Sequence, residues 1–294
     1  MTATSSLYLI IAILSSAAMT IVLKIFRDQK GNRYGIILGN YLTCIILSFL
    51  FLQDKSLLLH PDLTTAVCGT AGGLLFVAGL VSMQSSIRLN GAILTSAFSK
   101  SGLIVPLLVC ACFLGDPIRI LQIPGILLIF LSIWLISTDK KSFAMQTDRN
   151  TQVRPLILLA VLLSCGSADT MAKIFEHVGR SDFDQLYFLI LFATAAVLTT
   201  VLLLVEHKKT GKKPVLKEFL AGMLAGIPNY FSSVLLLKAL NGLPSFVVYP
   251  CFSAGTLLLV TIIGAAAFKE KLGKKAWTGV ILIAASLVIL NIGG

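Results

Sequence analysis

Hydrophobic positions along this chain gather into long runs, and polar positions into short loops between them. The runs fall at residues 5–26, 34–53, 64–86, 91–114, 119–137, 154–176, 185–205, 218–240, 243–268 and 275–292. Each is close to the roughly 20 residues that a helix needs to cross a bilayer core. The pattern predicts an all-α polytopic membrane protein with ten transmembrane helices. Segment 5–26 lacks the basic leader of a secretory signal and is followed by further spans, so it reads as the first span. The longest loop, "STDKKSFAMQTDRNTQVR" (137–154), is polar and joins span 5 to span 6. It divides the chain into a first half, 1–138, a linker, 139–153, and a second half, 154–294.

The two halves share landmarks in the same order. "LKIF" (23–26) answers "AKIF" (172–175), and the pair Gly69 and Gly73 answers Gly222 and Gly226. "LNG" occurs at 89–91 and 240–242, "AFS" (97–99) answers "CFS" (251–253), and Gly125 answers Gly279. Five matches at a nearly constant offset make an internal repeat. A unit of five spans is odd in number, so the second copy is expected upside down relative to the first. Loop charges agree. The first loop is basic (Arg27, Lys30, Arg33), and its counterpart, the sixth, is mostly acidic (Glu176, Arg180, Asp182, Asp184). The second carries one lysine, Lys55, against "EHKKTGKKPVLKE" in the seventh; the fourth is "GDPIR" against "FKEKLGKK" in the ninth. Equivalent loops of opposite bias are what inverted repeats under the positive-inside rule require. The bias places the odd-numbered loops in the cytoplasm and both termini outside.

Composition narrows the class further. Apolar residues make up 56% of the chain and charged residues 13%, too little polar surface to cover a soluble core of this length. The net charge of +11 sits in short loops, where it holds topology and meets anionic lipid, so the bilayer rather than nucleic acid is the expected partner. All six cysteines (Cys44, Cys68, Cys110, Cys112, Cys165, Cys251) fall in apolar segments and form no disulfide framework. Cys110 and Cys112 point to nearly opposite sides of a helix and cannot share a metal. No GxxxxGK[ST] occurs, so ATP is not expected to drive the protein directly. The three histidines lie in loops, and no HExxH or facing pair of aspartates suggests an intramembrane enzyme. No catalytic residue, metal site or cofactor is expected.

Charge inside the spans is the remaining signal. Lys100, in "AFSKSGLIVP" (97–106), falls near the middle of span 4, within a few ångströms of the midplane at about 1.5 Å per residue. Roughly 15 Å of hydrocarbon is too far for its stem to snorkel. It must face a cavity or a partner. Either a permanent ion pair or a cavity lysine that receives a carboxylate or phosphate satisfies that demand. Asp169, in span 6, has two competing partners: Lys173 at i+4 on its own helix, or Lys100 across the bundle. Lys24 and Lys173 lie near span ends, where snorkelling is easy. Asn40, Tyr41, Asn229, Tyr230 and Tyr249 are the other polar groups near mid-span. Pro106, Pro228 and Pro250 lie beside several of these, and a proline frees a backbone carbonyl one turn upstream. A kink beside a polar side chain builds a carrier's midplane site; an interhelical hydrogen bond is the alternative role for Asn229 and Tyr249.

The repeat resembles the drug/metabolite transporter superfamily, in particular its EamA-like members. The resemblance is carried by "FLGDPIRILQIPGILLIF" (113–130), with Asp116 for the usual Glu, and "FKEKLGKKAWTGVILIA" (268–284). Each half also resembles the small multidrug resistance proteins. "YLIIAILSSAAMTIVLKIF" (8–26) is similar to their first span and "VYPCFSAGTLLLVTIIG" (248–264) to their third. The resemblance implies a cavity lined by spans 1, 3, 4, 6, 8 and 9. It also implies cytoplasmic termini, opposite to the charge bias. At Ser16, and at Cys165 in span 6, the small multidrug resistance pattern has a proton- and drug-binding glutamate; its absence removes that coupling from these positions. Asp169, one turn beyond Cys165 on the same face, is a candidate for a displaced substitute, with a structural pair to Lys173 as its alternative role.

These readings predict a secondary carrier of a small anionic or zwitterionic metabolite, such as one resembling an amino acid, working by alternating access. Lys100, Asn229, Tyr230, Tyr249, Ser16 and Cys165 are the expected substrate contacts, and Asp169 the coupling residue for protons or another ion. The rival reading is a proton-coupled exporter of cationic drugs or other toxic compounds, which a midplane lysine disfavours. The expected setting is the cell membrane, as monomer or homodimer.

Overall fold

A computed structural model describes residues 2–26, 31–32, 34–90, 95, 98–99, 101–115, 123–137, 154–267 and 273–292. Among the described residues the secondary structure is helical, with no strand. Ten α-helices follow one another among these residues: α1 (Thr2–Ile25), α2 (Tyr34–Leu50), α3 (Leu63–Asn90), α4 (Ile104–Phe113), α5 (Ile123–Ser137), α6 (Pro155–Val178), α7 (Asp184–Thr210), α8 (Leu216–Leu240), α9 (Ser245–Ala267) and α10 (Lys274–Ile292). Their limits follow the apolar runs. Among the described residues, six segments are long and apolar enough to cross a membrane: Ala3–Leu23, Leu63–Met83, Pro155–Val178, Ser181–Thr210, Leu216–Leu240 and Ser245–Gly264. The protein is an integral membrane protein. The fourth and fifth runs are described only in part, as α4 and α5.

Local chemistry stops each helix. α7 ends where Gly211 takes φ +69°, and its N–H donates to the His207 carbonyl at 2.8 Å. Between α2 and α3, Asp54 accepts from Ser56 N at 2.9 Å and from Ser56 Oγ at 2.6 Å. These bonds hold its carboxyl below the usual carboxylate range. Asp62 opens α3 by accepting from Thr65 N at 3.1 Å.

The chain forms two compact units. The first comprises Met1–Val77 and Met171–Asn241, the second Ala78–Thr170 and Gly242–Gly294. Each unit therefore draws on both halves of the sequence, with its borders inside α3 and α6.

In the first unit, α8 packs on α1 and α2, and α2 packs on α7. Glycine sets the closest approaches. A Cβ on Gly222 of α8 would collide with the Ile36 carbonyl of α2, and one on Gly226 would lie 2.5 Å from the Asn40 carbonyl. From the other side, a Cβ on Gly39 of α2 would meet the Phe219 carbonyl. The same arrangement occurs a second time between α3 and α7. A Cβ on Gly69 would lie 3.1 Å from the Tyr187 carbonyl, and one on Gly73 would lie 2.6 Å from the Leu191 carbonyl. In both cases two glycines four apart face two carbonyls four apart on the neighbouring helix. An aromatic cluster of Tyr41, Phe76 and Phe192, with centroids 6.3–6.5 Å apart, ties α2, α3 and α7 together.

In the second unit, Leu107 of α4, Ile129 and Ile133 of α5, Phe246 and Ala254 of α9, and Ile283 of α10 form the buried core with Leu103. Gly102 and Gly166 of α6 make the close approach there. A Cβ on Gly102 would lie 2.9 Å from the Leu162 carbonyl and 3.1 Å from Gly166 N.

Backbone contact of this kind leaves no room for a side chain. Gly222→Val is expected to destabilise the fold by about 1–3 kcal/mol, the cost of overpacking. It would be read as a lower unfolding midpoint in detergent. Val197→Ala, at a position 64% exposed on α7, is expected to leave the midpoint unchanged.

Candidate functional site

The first unit holds Ser16, Asn229 and Tyr230 of the expected site; the second holds Cys165, Asp169 and Tyr249. Lys100 lies outside the described residues, as do Asp116, the 139–153 linker, and 268–272 of the second EamA-like motif.

Asn229 follows Pro228 in the middle of α8 and is buried against α2. Its Nδ2 donates to Asn40 Oδ1 at 2.7 Å and approaches Cys44 Sγ at 3.6 Å. The Cys44 thiol in turn donates to the Gly226 carbonyl at 3.4 Å. Asn40, Cys44 and Asn229 thus form one polar knot beside the glycine contact. The interhelical role for Asn229 is the one observed.

Tyr230 turns toward different partners. Its hydroxyl donates to Gln185 Oε1 of α7 at 2.6 Å, and its ring stacks on Phe51 with centroids 5.8 Å apart. Phe231 meets that ring edge-on at 5.3 Å. Ser16 is half-buried in α1, and its carbonyl accepts from Thr20 Oγ1 at 2.9 Å.

The same unit contains an ionic group absent from the sequence expectation. Lys173 Nζ lies 2.6 Å from Glu176 Oε2, three residues along α6, with side chains 10% and 16% exposed. Lys173 therefore has a partner other than Asp169. Asp184 of α7 lies within electrostatic reach of Lys238, Asp182 and Glu176. Lys238 Nζ of α8 sits 5.8 Å from the Tyr8 ring centroid on α1. Four helices thus meet around Lys173, Glu176, Asp184 and Lys238, with Gln185 adjoining. A lysine inside the last turn of the apolar α8 was the signal available in the sequence.

In the second unit, Tyr249 and Asp169 come together. Tyr249 is almost fully buried, and its hydroxyl donates to the Asp169 main-chain carbonyl at 2.9 Å. Asp169 is half-buried one turn beyond Cys165. Cys165 Sγ accepts from Ser99 Oγ at 3.5 Å, and Gly79 of α3 faces the same sulfur. Ser99 and Gly102 thus bring the segment before α4 against Cys165 and Gly166 of α6. Two polar contacts thus reach this stretch of α6, one from Ser99 at Cys165 and one from Tyr249 of α9 at Asp169. Among the described residues, no group of three or more His, Cys, Asp or Glu side chains could hold a metal ion.

Residues 155–292 match the model of the EamA-like transporter family. The second half of the chain is therefore similar to an EamA-like transporter domain. An uncharacterized protein of Haemophilus influenzae is 27% identical over 290 residues, covering 96% of each chain. A protein of known crystal structure shares the fold with a TM-score of 0.74 at 14% identity, over 99% of this chain and 98% of that one.

The Lys173–Glu176 pair gives a clear expectation. Lys173→Met leaves a mostly buried carboxylate without its counter-charge and is expected to cost about 3–5 kcal/mol. Lys173→Met combined with Glu176→Gln removes both charges and is expected to recover most of that loss in detergent unfolding. For Asn229→Ala and Asn40→Ala, a double-mutant cycle is expected to give a coupling of about 0.6–1.7 kcal/mol.

Proposed function

We propose that the protein is a secondary carrier that moves a small anionic or zwitterionic metabolite across the cell membrane by alternating access. The observation that carries this reading is the EamA-like match over residues 155–292. The first half is taken as the inverted partner of that domain, giving ten spans in all. Two features support the pairing. The landmarks recur at nearly constant offset, and the glycines of α3 meet α7 as those of α8 meet α2. Asn32 N donates to the Lys213 carbonyl at 3.0 Å, which joins the first and seventh loops, both basic. Shared charge bias on joined loops supports a cytoplasmic position for the odd-numbered loops.

The substrate reading rests on Lys100. An ammonium in the middle of an apolar span needs an anionic partner, and a carboxylate-bearing cargo supplies one. Its sequence neighbours Ser99 and Gly102 meet α6 at Cys165 and Gly166. That contact favours a substrate region formed by Lys100, Cys165, Asp169 and Tyr249. Asp169 is the group that takes up a proton as the carrier turns over. Ser16, Asn229 and Tyr230 lie in the first unit, where Asn229 fixes the α2–α8 contact and Tyr230 binds Gln185.

The test is a thermal-shift screen of purified protein against carboxylates, amino acids, phosphates and cationic drugs, followed by flux in proteoliposomes. An anionic or zwitterionic ligand is expected to raise the midpoint, with the shift lost in Lys100→Met. Asp169→Asn is expected to abolish flux driven by a pH gradient while leaving counterflow exchange intact. Shifts confined to cationic drugs, and retained in Lys100→Met, would overturn the substrate reading in favour of a drug exporter.

A further inference from the structure

The first unit carries an apolar groove that the transport reading leaves without a role. It has a volume of about 570 Å³ and is lined by Phe26 at the end of α1 and by Leu216, Lys217, Leu220, Ala221 and Leu224 of α8. Leu216, Leu220 and Leu224 follow one another at helical spacing and are 71%, 53% and 53% exposed. α8 is long and apolar enough to cross a membrane, so this stripe is suited to lipid. Lys217 is the one charged side chain in the lining, and it lies in the first turn of α8.

The sequence leading to Lys217 is strongly basic, and the fold fastens a second loop onto it. Asn32 N donates to the Lys213 carbonyl at 3.0 Å, and Asn32 Nδ2 donates to the Leu203 carbonyl at 3.1 Å. Gly31 N donates to Glu218 Oε1 at 3.1 Å. These bonds fasten the turn before α2 onto the stretch between α7 and α8. The last turn of α7, that stretch and the first turn of α8 together contribute Lys208, Lys209, Lys212, Lys213 and Lys217. Of the acidic residues nearby, Glu218 is buried and engaged by Gly31, and Glu206 is half-buried. The result is an apolar channel along a lipid-facing helix, capped at one end by positive charge and by a helix N-terminus.

We propose that this groove is a binding site for one anionic phospholipid. One acyl chain lies between Phe26 and the Leu220–Leu224 stripe, and the phosphate is held by Lys217. The complementarity is two-part: hydrocarbon meets the leucines, and the anionic head meets the lysine at the helix start. A zwitterionic lipid satisfies the first part alone. The site is independent of what the protein carries.

The experiment places a fluorescent reporter in the groove. Phe26→Trp is made in a Trp134→Phe/Trp277→Phe background and reconstituted with brominated phosphatidylglycerol or brominated phosphatidylcholine; Leu224→Trp serves as a second reporter. Quenching is expected to show about a fivefold preference for phosphatidylglycerol, the factor one lysine near a membrane surface supplies. Lys217→Gln is expected to reduce the preference to near one. Lys217→Arg and Lys275→Gln, the latter at a lysine of the second unit outside the groove lining, are expected to retain it, and excess inorganic phosphate is expected not to compete. Equal quenching by the two lipids, a preference that survives Lys217→Gln, or displacement by phosphate alone would overturn the proposal.

Discussion

Two helix backbones can touch only where no side chain stands between them. That constraint organises the first unit of this protein. In a bilayer the tails around a helix are as apolar as its leucines, so burying leucine gains little. Close approach gains dispersion contact instead, and small residues make it possible. Gly39, Gly222 and Gly226 bring α2 and α8 to backbone contact, and Gly69 and Gly73 do the same for α3 and α7. The aromatic cluster of Tyr41, Phe76 and Phe192 then fills the wider space among α2, α3 and α7.

Polar groups follow from that packing. Once α2 and α8 touch, Asn40, Cys44 and Asn229 have no lipid-facing alternative and satisfy one another. Tyr230, the next residue along α8, is rotated about 100° away and reaches Gln185 instead. Neighbours in sequence therefore do different work. The ionic group of Lys173, Glu176, Asp184 and Lys238 gathers near the ends of α6, α7 and α8, where a charged head is less costly than at mid-span. In the second unit Tyr249 caps the Asp169 carbonyl, so that one turn of α6 presents Cys165 and Asp169 beside α9.

A helical membrane protein with polar residues inside its spans has to hold them in an apolar surrounding without losing the fold. The two units reach this differently. In the first, polar groups sit directly beside glycine contacts. In the second, Leu107, Ile129, Ile133, Phe246 and Ile283 form a packed apolar core, and the polar contacts are Ser99 with Cys165 and Tyr249 with the Asp169 carbonyl.

The helical membrane class was legible in the sequence because the length of an apolar run is a local property that bilayer thickness reads directly. The GxxxG pairs at 69–73 and 222–226 were legible for a similar reason, since spacing on one helix is fixed by its pitch. Their partners were not. Nothing in "YGIILGN" says that Gly39 meets Phe219, or that the carbonyls of Ile36 and Asn40 receive the glycines of α8. The site shows the same division. Asn229, Tyr230, Tyr249 and Asp169 stood out as polar residues inside apolar runs. Only tertiary contact decided that Asn229 faces Asn40, that Tyr249 reaches the main chain of Asp169, and that Lys173 binds Glu176. Sequence separations of 80 and 189 residues carry no trace in local propensity. Which helix stands beside which is settled by backbone fit, and that fit exists only once the helices have assembled.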